Sequence, residues 1–170
     1  CLTIDTGAGP RRLELHVADG AVKSVTVDMG PAQVGRAVTL ETAGETYTVI
    51  PVEVGNPHGV IFCEDPNAVE LERLGPALER HPALGGRRNI EFISCPDREH
   101  LTVRVWERGS GITLACGTGA CACFAAAMEE NRCGTRVKAT LPGGVLTLEQ
   151  RGEAVFMTGP ARTVFEGEIL

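Results

Sequence analysis

The chain has 170 residues, 43% hydrophobic and 22% charged, a composition typical of a globular domain that can bury a core. Its formal net charge of −6, without a dense cluster of Lys and Arg, argues against nucleic acid or an anionic membrane as a partner. No apolar run reaches the roughly 20 residues that span a bilayer, and no signal peptide is recognised. The odd number and irregular spacing of the cysteines favour a reducing compartment, so we expect a cytoplasmic protein.

Strands joined by tight turns are predicted at the start of the chain. LELHV alternates apolar and polar residues, Ala18-Asp19-Gly20 predicts a hairpin turn, and VKSVTVDMG returns as the second strand. A second pair of strands is predicted within residues 39–54. Residues 55–58, Gly-Asn-Pro-His, then predict a turn that places His58 in a loop before the short buried strand GVIFC.

A helix is predicted to begin at Asp65-Pro66, because Pro is favoured at the first helical position, and to be broken at Gly75-Pro76. A loop over residues 81–88 leads into the strand-rich second half. The predicted strands there are NIEFISC, LTVRVWE, TRVKATL, VLTLEQ and AVFMTG, with a hairpin turn at Leu141-Pro142-Gly143-Gly144.

Residues 106–124, WERGSGITLACGTGACACF, interrupt this series of strands. A Gly-Ser-Gly turn is followed by a predicted short strand at 112–115 and then by a helix rich in small residues that runs to Cys133-Gly134. Because this helix is apolar nearly all round, we expect it to be buried. The whole pattern predicts an α+β fold, in which a mostly antiparallel curved sheet wraps around a long buried central helix.

Cys116 lies immediately before that helix, where backbone amides lack intrahelical partners and the helix dipole is positive. Such a position is expected to lower the pKa of a thiol, while the free amides of Gly117, Thr118 and Gly119 can hold a carboxylate or a phosphate. The pattern indicates a thiol that moves a proton α to a bound carboxylate. An inert buried cysteine beside a glycine turn fits the same residues.

The seven cysteines show no pattern of a disulfide framework, since their number is odd and their spacings are irregular. Cys116, Cys121 and Cys123 lack the spacing of a zinc site, and helical periodicity points the last two to different sides. We therefore expect no metal site. The chain begins at Cys1, without Met and within a predicted strand, so we expect it to be a piece of a longer protein.

Other polar residues, at loops and strand ends, are candidates for a site. Each of them also fits a structural role: His58 as a surface turn histidine, Asn89 as a turn-stabilising asparagine, and Glu107 with Arg108 as a solvated ion pair. Their combination with neighbouring motifs is more specific. The motifs are Gly55-Asn56-Pro57-His58, His81-Pro82, Asn89-Ile90-Glu91-Phe92, Glu107-Arg108-Gly109, Ala115-Cys116-Gly117-Thr118-Gly119-Ala120-Cys121, Leu141-Pro142-Gly143-Gly144 and Met157-Thr158-Gly159-Pro160-Ala161.

In this order, and over essentially the whole chain, these motifs resemble diaminopimelate epimerase. The resemblance covers the second, C-terminal half of that family, because the Gly-Asn-Asp-Phe and Ala-Cys-Gly-Asn-Gly elements of its first half are absent. It implies an alpha-beta roll and a cofactor-independent isomerase that interconverts L,L- and meso-diaminopimelate in the biosynthesis of lysine and peptidoglycan precursors. Two cysteines, one from each half, would act on opposite faces of the α-carbon.

The resemblance also implies roles for individual residues. Cys116 would be one of the two acid/base thiols, and His58 and Glu107 would tune the thiol pKa values. The substrate-binding residues would be Asn56, Asn89, Glu107, Arg108, Gly117 and Thr118. Ile112 stands where the family usually has a charged residue in a Gly-Glu-Thr sequence.

The implied organisation has three parts: a strand region at 1–30 that links from the missing first half, a domain at 31–165 and a tail at 166–170. The implied partners are diaminopimelate and the missing half, and a homodimer is left open. The chain alone is expected to be inactive. Three alternatives remain: a proline or hydroxyproline racemase, a phenazine-biosynthesis-like isomerase, and a non-catalytic substrate-binding module of the same fold. The residues upstream of Cys1 would distinguish them from the epimerase.

Overall fold

A computed structural model of the chain describes residues 1–7 and 9–168, and the strands within them join one mixed sheet. The strands are β1 Leu2–Thr6, β2 Gly9–Ala18, β3 Ala21–Pro31, β4 Gln33–Val34, β5 Val38–Thr42, β6 Glu45–Glu53, β7 Pro57–Phe62, β8 Asn89–Ser94, β9 His100–Glu107, β10 Gly111–Ile112, β11 Arg136–Leu141, β12 Gly144–Arg151 and β13 Ala154–Pro160. The α-helices are α1 Leu71–Glu79 and α2 Gly117–Glu129, and short 3₁₀ turns lie at Pro66–Ala68 and Pro82–Leu84.

The strand order along the sheet is β1-β2-β3-β13-β12-β11-β9-β8-β7-β6-β4, with β5 paired to β6 and β10 paired to β9. The pairs β7–β8 and β9–β11 are parallel, and the other pairs are antiparallel. The expectation of a mostly antiparallel α+β fold is therefore confirmed. Each parallel pair is joined by a crossover that contains a helix, α1 for β7–β8 and α2 for β9–β11, as parallel pairing requires.

The two helices cover opposite faces of the sheet, as alternation along β8 shows. Ile93 belongs to the core around α2, whereas Ile90 and Phe92 belong to the core that contains Leu74 and Leu78 of α1. Successive side chains of a strand point to opposite faces, so each strand in this region contributes to both cores.

α2 is buried almost throughout, as its sequence predicts. Residues 119–127 are all buried, and the helix contacts β4, β6 to β9 and β11 to β13. With 13 residues, however, it has the ordinary length of a helix in a globular protein, so the expectation of a long helix is not confirmed. It ends at Glu129, before the predicted stop at Cys133-Gly134, because Asn131 adopts a left-handed conformation with φ of 54°.

The predicted break at Gly75-Pro76 is wrong, because α1 continues through both residues. Proline removes one backbone donor, but burial of Leu71, Leu74 and Leu78 holds the turn in place. Gly75 allows the indole ring of Trp106 to pack closely against α1, because a Cβ at this position would lie 2.3 Å from Cδ2 of Trp106.

The predicted strand at 112–115 is also wrong beyond Ile112, where β10 ends. Leu114 is 69% exposed, and its carbonyl accepts a hydrogen bond of 2.7 Å from the amide of Gly143. The hairpins were predicted correctly. Asp19 and Gly20 both have positive φ, as the tight turn between β2 and β3 requires, and residues 142–143 connect β11 to β12.

All seven cysteines are free thiols in the structure. Within residues 1–7 and 9–168, no group of His, Cys, Asp and Glu side chains is arranged to hold a metal ion. The same part of the chain has no helix long and apolar enough to cross a membrane. Of the expected tail at 166–170, residues 169 and 170 lie outside the described residues.

Candidate active site

The start of α2 lies near one end of the neighbouring strands β7, β8 and β9. Most of the predicted site residues lie at this end of the three strands. His58 pairs with Asn89 across the parallel strands β7 and β8. Glu107 ends β9, directly after Trp106, the register partner of Ile90. Three separate segments are therefore aligned by strand register, which brings His58, Asn89 and Glu107 into one row.

Cys116 is itself the N-cap of α2. Its backbone is extended, with φ of −133° and ψ of 110°, and its Sγ accepts a hydrogen bond of 3.4 Å from the amide of Gly119. The Thr118 hydroxyl lies 3.5 Å from the same sulfur. In the described part of the chain, the amides of Gly117 and Thr118 have no acceptor, so the helix start can receive an anion beside the thiol.

The expectation of a lowered thiol pKa is wrong for this structure. Burial raises the pKa of Cys116, although the Thr118 hydroxyl and the Gly119 amide lower it, and the carboxylates of Glu91 and Glu107 raise it further. Cys116 is 8% exposed, and a thiolate there loses more from desolvation than its contacts with the Thr118 hydroxyl and the Gly119 amide return. Burial therefore favours the protonated form of the Cys116 thiol.

His58 is fully buried in β7, so its predicted place in a surface turn is wrong. Its Nδ1 lies 2.7 Å from Oε1 of Glu91, and its Nε2 lies 2.9 Å from Oδ1 of Asn56. The ring thus joins the turn before β7 to the middle of β8. Both ring nitrogens are in hydrogen-bond contact with an oxygen.

Glu91 was missed as a site residue, although the sequence carries a signal for it. It is the charged residue within the apolar strand NIEFIS, and its side chain is fully buried towards α2. Burial raises the pKa of Glu91, and the hydrogen bond and charge of His58 oppose this. Its Oε2 has no hydrogen-bond partner within residues 1–7 and 9–168.

Asn89 and Arg108 are linked through the backbone. The Asn89 Nδ2 donates to the carbonyl of Pro57 at 3.1 Å, and its Oδ1 accepts from the amide of Arg108 at 2.9 Å. Both ends of this carboxamide are therefore engaged, and they join the first residue of β7 to the turn after β9. The Arg108 guanidinium is exposed and makes one long contact of 3.4 Å, to the carbonyl of Arg87.

The loop that carries Arg87 is anchored to α1 through a buried carboxylate. Glu79 accepts hydrogen bonds from Nε of Arg87 at 2.6 Å and from the indole nitrogen of Trp106 at 2.8 Å. Because Trp106 directly precedes Glu107, α1 supports the turn on which Arg108 lies. No carboxylate pairs with Arg108 in the described part of the chain, so the guanidinium is free to bind an anionic group.

A cavity of about 700 Å³ lies away from these residues. Its lining includes Tyr47, Cys63 and Arg73, together with Glu130 and Arg132 beyond the end of α2. Cys116 is not among the lining residues, so this cavity is separate from the start of α2, which is the other end of the helix. The candidate residues therefore include the thiol of Cys116, the unpaired amides at the start of α2 and the exposed guanidinium of Arg108.

Comparisons with known proteins bear on this site. The family model described as "Diaminopimelate epimerase" matches residues 50–164, which contain every predicted site residue. A diaminopimelate epimerase of Phocaeicola vulgatus is 43% identical over 99% of this chain and 65% of its own length. A diaminopimelate epimerase of Nostoc punctiforme is 50% identical over 78% of this chain and 48% of its own length.

A solved structure of a hydroxyproline epimerase from Agrobacterium vitis, with bound trans-4-OH-L-proline, superposes with a TM-score of 0.74 at 18% identity. It covers 93% of this chain and 56% of the other, and at this identity the likeness shows a shared fold alone. The chain spans less than two thirds of the length of the curated relatives described above. With a family match over 115 of 170 residues (50 to 164), the chain belongs to the diaminopimelate epimerase family.

Proposed function

We propose that this chain supplies one half of the active site of a diaminopimelate epimerase, with Cys116 as one of two acid/base groups. The observation that carries the proposal is the position of Cys116 as N-cap of α2, beside the unpaired amides of Gly117 and Thr118. A carboxylate held by these amides has its α-carbon next to the sulfur. That geometry suits proton transfer at the α-carbon.

Inversion at carbon requires a base on one face and an acid on the other. A thiolate takes the α-proton, the electron pair of the broken C–H bond moves towards the bound carboxylate, and a thiol on the opposite face returns a proton. The burial that raises the pKa of Cys116 supports its role as the thiol that carries the proton at rest. In the reverse direction, Cys116 takes the proton and the second group returns one.

The second group is proposed to lie in the part of the relatives that this chain does not cover. Other thiols of this chain are poorly placed, since Cys121 and Cys123 lie within α2 and are fully buried. Residues 1–30 are proposed as the link to that part, 31–165 as the domain that binds substrate and 166–170 as a tail. The sheet is proposed to curve into a roll around α2. The protein is proposed to act in the cytoplasm.

Substrate selection is proposed to rest on Arg108. Diaminopimelate carries a carboxylate at each end, and a planar guanidinium can bind the distal one with two hydrogen bonds. Asn56 is proposed to contribute a polar contact, and Glu107 to bind the ammonium group next to the reacting carbon. Asn89 is proposed to act on the substrate by placing the backbone of Arg108, in accord with its two engaged ends.

The test uses L,L-diaminopimelate in heavy water with two samples, this chain and a full-length protein that includes the segment carried by its relatives. The full-length protein is expected to form meso product with deuterium at the inverted carbon. This chain alone is expected to form none at a comparable rate. Meso product from the chain alone would show that both acid/base groups lie within it, and no product from the full-length protein would overturn the proposed function.

A further inference from the structure

We propose that His58 and Glu91 form a proton-sharing dyad that fixes the orientation of the Asn56 carboxamide, so that Asn56 presents its Nδ2 to a ligand. The three side chains form a chain of contacts, with 2.7 Å between Glu91 Oε1 and His58 Nδ1 and 2.9 Å between His58 Nε2 and Asn56 Oδ1. Glu91 is then a positioning residue, since it acts through His58.

The contacts limit where protons can be. Each nitrogen of the His58 ring faces an oxygen, and a neutral imidazole has one donor and one acceptor. If His58 is an imidazolium, it donates to an ionised Glu91 and to Asn56. If Glu91 is protonated, it donates to Nδ1 and a neutral His58 donates from Nε2 to Asn56. These two arrangements differ by the position of one proton, and in both Nε2 carries hydrogen.

The alternative is an ionised Glu91 beside a neutral His58 whose Nε2 is bare. It would place a net negative charge where both side chains are fully buried, which is costly. The titratable groups that face Glu91 do not relieve this cost: they are Glu107 on β9 and Cys116 and Cys123 on α2. The nearby cation, Arg88, donates to the carbonyl of His58 and to Glu53 instead.

The carboxylate position is fixed from the helix side as well. A Cβ at Gly119 would lie 2.7 Å from Oε1 of Glu91, so the glycine of the helix start leaves the space that Glu91 fills. Asn56 is half-buried, and its Nδ2 has no partner in the described part of the chain. With Oδ1 committed to His58, this N–H donor is available to an acceptor oxygen, such as a carboxylate oxygen of the proposed substrate. This last step rests on the proposed function.

The direct test is the nitrogen spectrum of the histidine rings in the ¹⁵N-labelled 170-residue chain, with the His58 signals assigned by their loss in His58→Gln. We expect hydrogen on Nε2 of His58 at neutral pH, because Oδ1 of Asn56 accepts from it. Glu91→Leu is expected to shift the Nδ1 signal, whereas Glu41→Gln, an exposed control on β5, leaves it unchanged. A bare Nε2 at neutral pH, or an Nδ1 signal that ignores Glu91→Leu, would overturn the dyad.

The second test is kinetic and uses the full-length protein. Glu91→Leu is expected to lower kcat/KM by about tenfold or more, which corresponds to about 1.4 kcal/mol. Glu91→Gln should retain more activity, since its amide N–H can replace the acid proton on Nδ1. Equal losses in both variants would contradict the proposal, and if Glu91→Leu fails to fold, the His58 spectrum of Glu91→Gln decides.

The two proposals fail in different ways. A full-length protein that does not epimerise diaminopimelate contradicts the proposed function, while the spectrum of His58 still tests the dyad. Normal epimerisation together with a bare Nε2 on His58 contradicts the dyad alone.

Discussion

The carboxylate of Glu91 occupies the space that a side chain at Gly119 would need, because a Cβ there would lie 2.7 Å from Oε1. The same Cβ would lie 3.2 Å from the sulfur of Cys116. The second glycine of the Gly-Thr-Gly sequence is thus required by packing between α2 and β8. Its conformation is helical, so no unusual backbone angle explains it.

We expect Gly119→Ala to lower the free energy of unfolding by about 1–2 kcal/mol. Overpacking costs about 1–3 kcal/mol, and the better helix propensity of alanine returns up to about 1 kcal/mol. The matched control is Gly134→Ala, whose Cβ would make an ordinary contact of 3.6 Å with the carbonyl of Arg98. Urea unfolding of both variants checks this, and equal stabilities would show that Glu91 moves aside freely.

The proposed acid/base role of Cys116 can be separated from its role as the N-cap of α2. In the full-length protein, Cys116→Ala and Cys116→Ser should each lower kcat by at least about 100-fold, the low end for loss of a general acid/base group. Serine can keep the cap on the Gly119 amide, so its melting temperature should exceed that of the alanine variant. Cys1→Ser, at an exposed thiol, is the control. Near-normal turnover in either Cys116 variant would remove Cys116 from the chemistry.

Arg108→Lys keeps the charge and loses the planar fork. We expect it to weaken binding of diaminopimelate by about 1–3 kcal/mol, the range for a charge-assisted hydrogen bond. Amino acids with one carboxylate should be affected far less, and the exposed Arg36→Lys should affect neither. Calorimetric titration of the full-length variants checks this. Equal weakening for both ligand types would assign Arg108 to the scaffold.

The buried thiols predict a loss of stability at high pH. Burial raises the pKa of Cys121 to about 12 and that of Cys133 to about 11, from an ordinary value of 9.0. Because the folded pKa values exceed the unfolded ones, their contribution is complete below pH 9 and is lost as pH rises towards 11–12. We expect the free energy of unfolding to fall from pH 9 to 11, and to fall less steeply in Cys121→Ala. An unchanged slope in that variant would contradict the assignment.

The strands and hairpins could be predicted from sequence because their signals are local. Alternation in LELHV and the Asp19-Gly20 turn depend on a few adjacent residues, and the structure bears them out. Gly75-Pro76 failed as a helix break because the leucines of α1 are buried against distant strands, and this packing holds the helix through both residues. A propensity describes one segment, whereas the packed core determines whether that segment can keep its hydrogen bonds.

The candidate site was predicted in part for the same reason. Cys116 follows from the glycines and apolar residues beside it, so its place at a helix start could be read locally. Its pKa could not, since burial depends on everything that surrounds the thiol. His58 was placed in a turn because Asn56 and Pro57 are turn formers, yet the strand already includes Pro57. Glu91 is a partner of His58 across 33 positions of the sequence, a relation that no local pattern contains.

The two parallel crossovers explain why α1 and α2 lie on opposite faces. Along the sheet, the steps from β7 to β8 and from β9 to β11 run in the same lateral direction, but β9 is antiparallel to β8. A right-handed crossover taken by strands of reversed direction must place its helix on the reverse side. The handedness of the crossovers therefore places β8 and β9 between α1 and Cys116. Substitutions in the α1 layer should affect the free energy of unfolding more than the proposed proton transfer at Cys116.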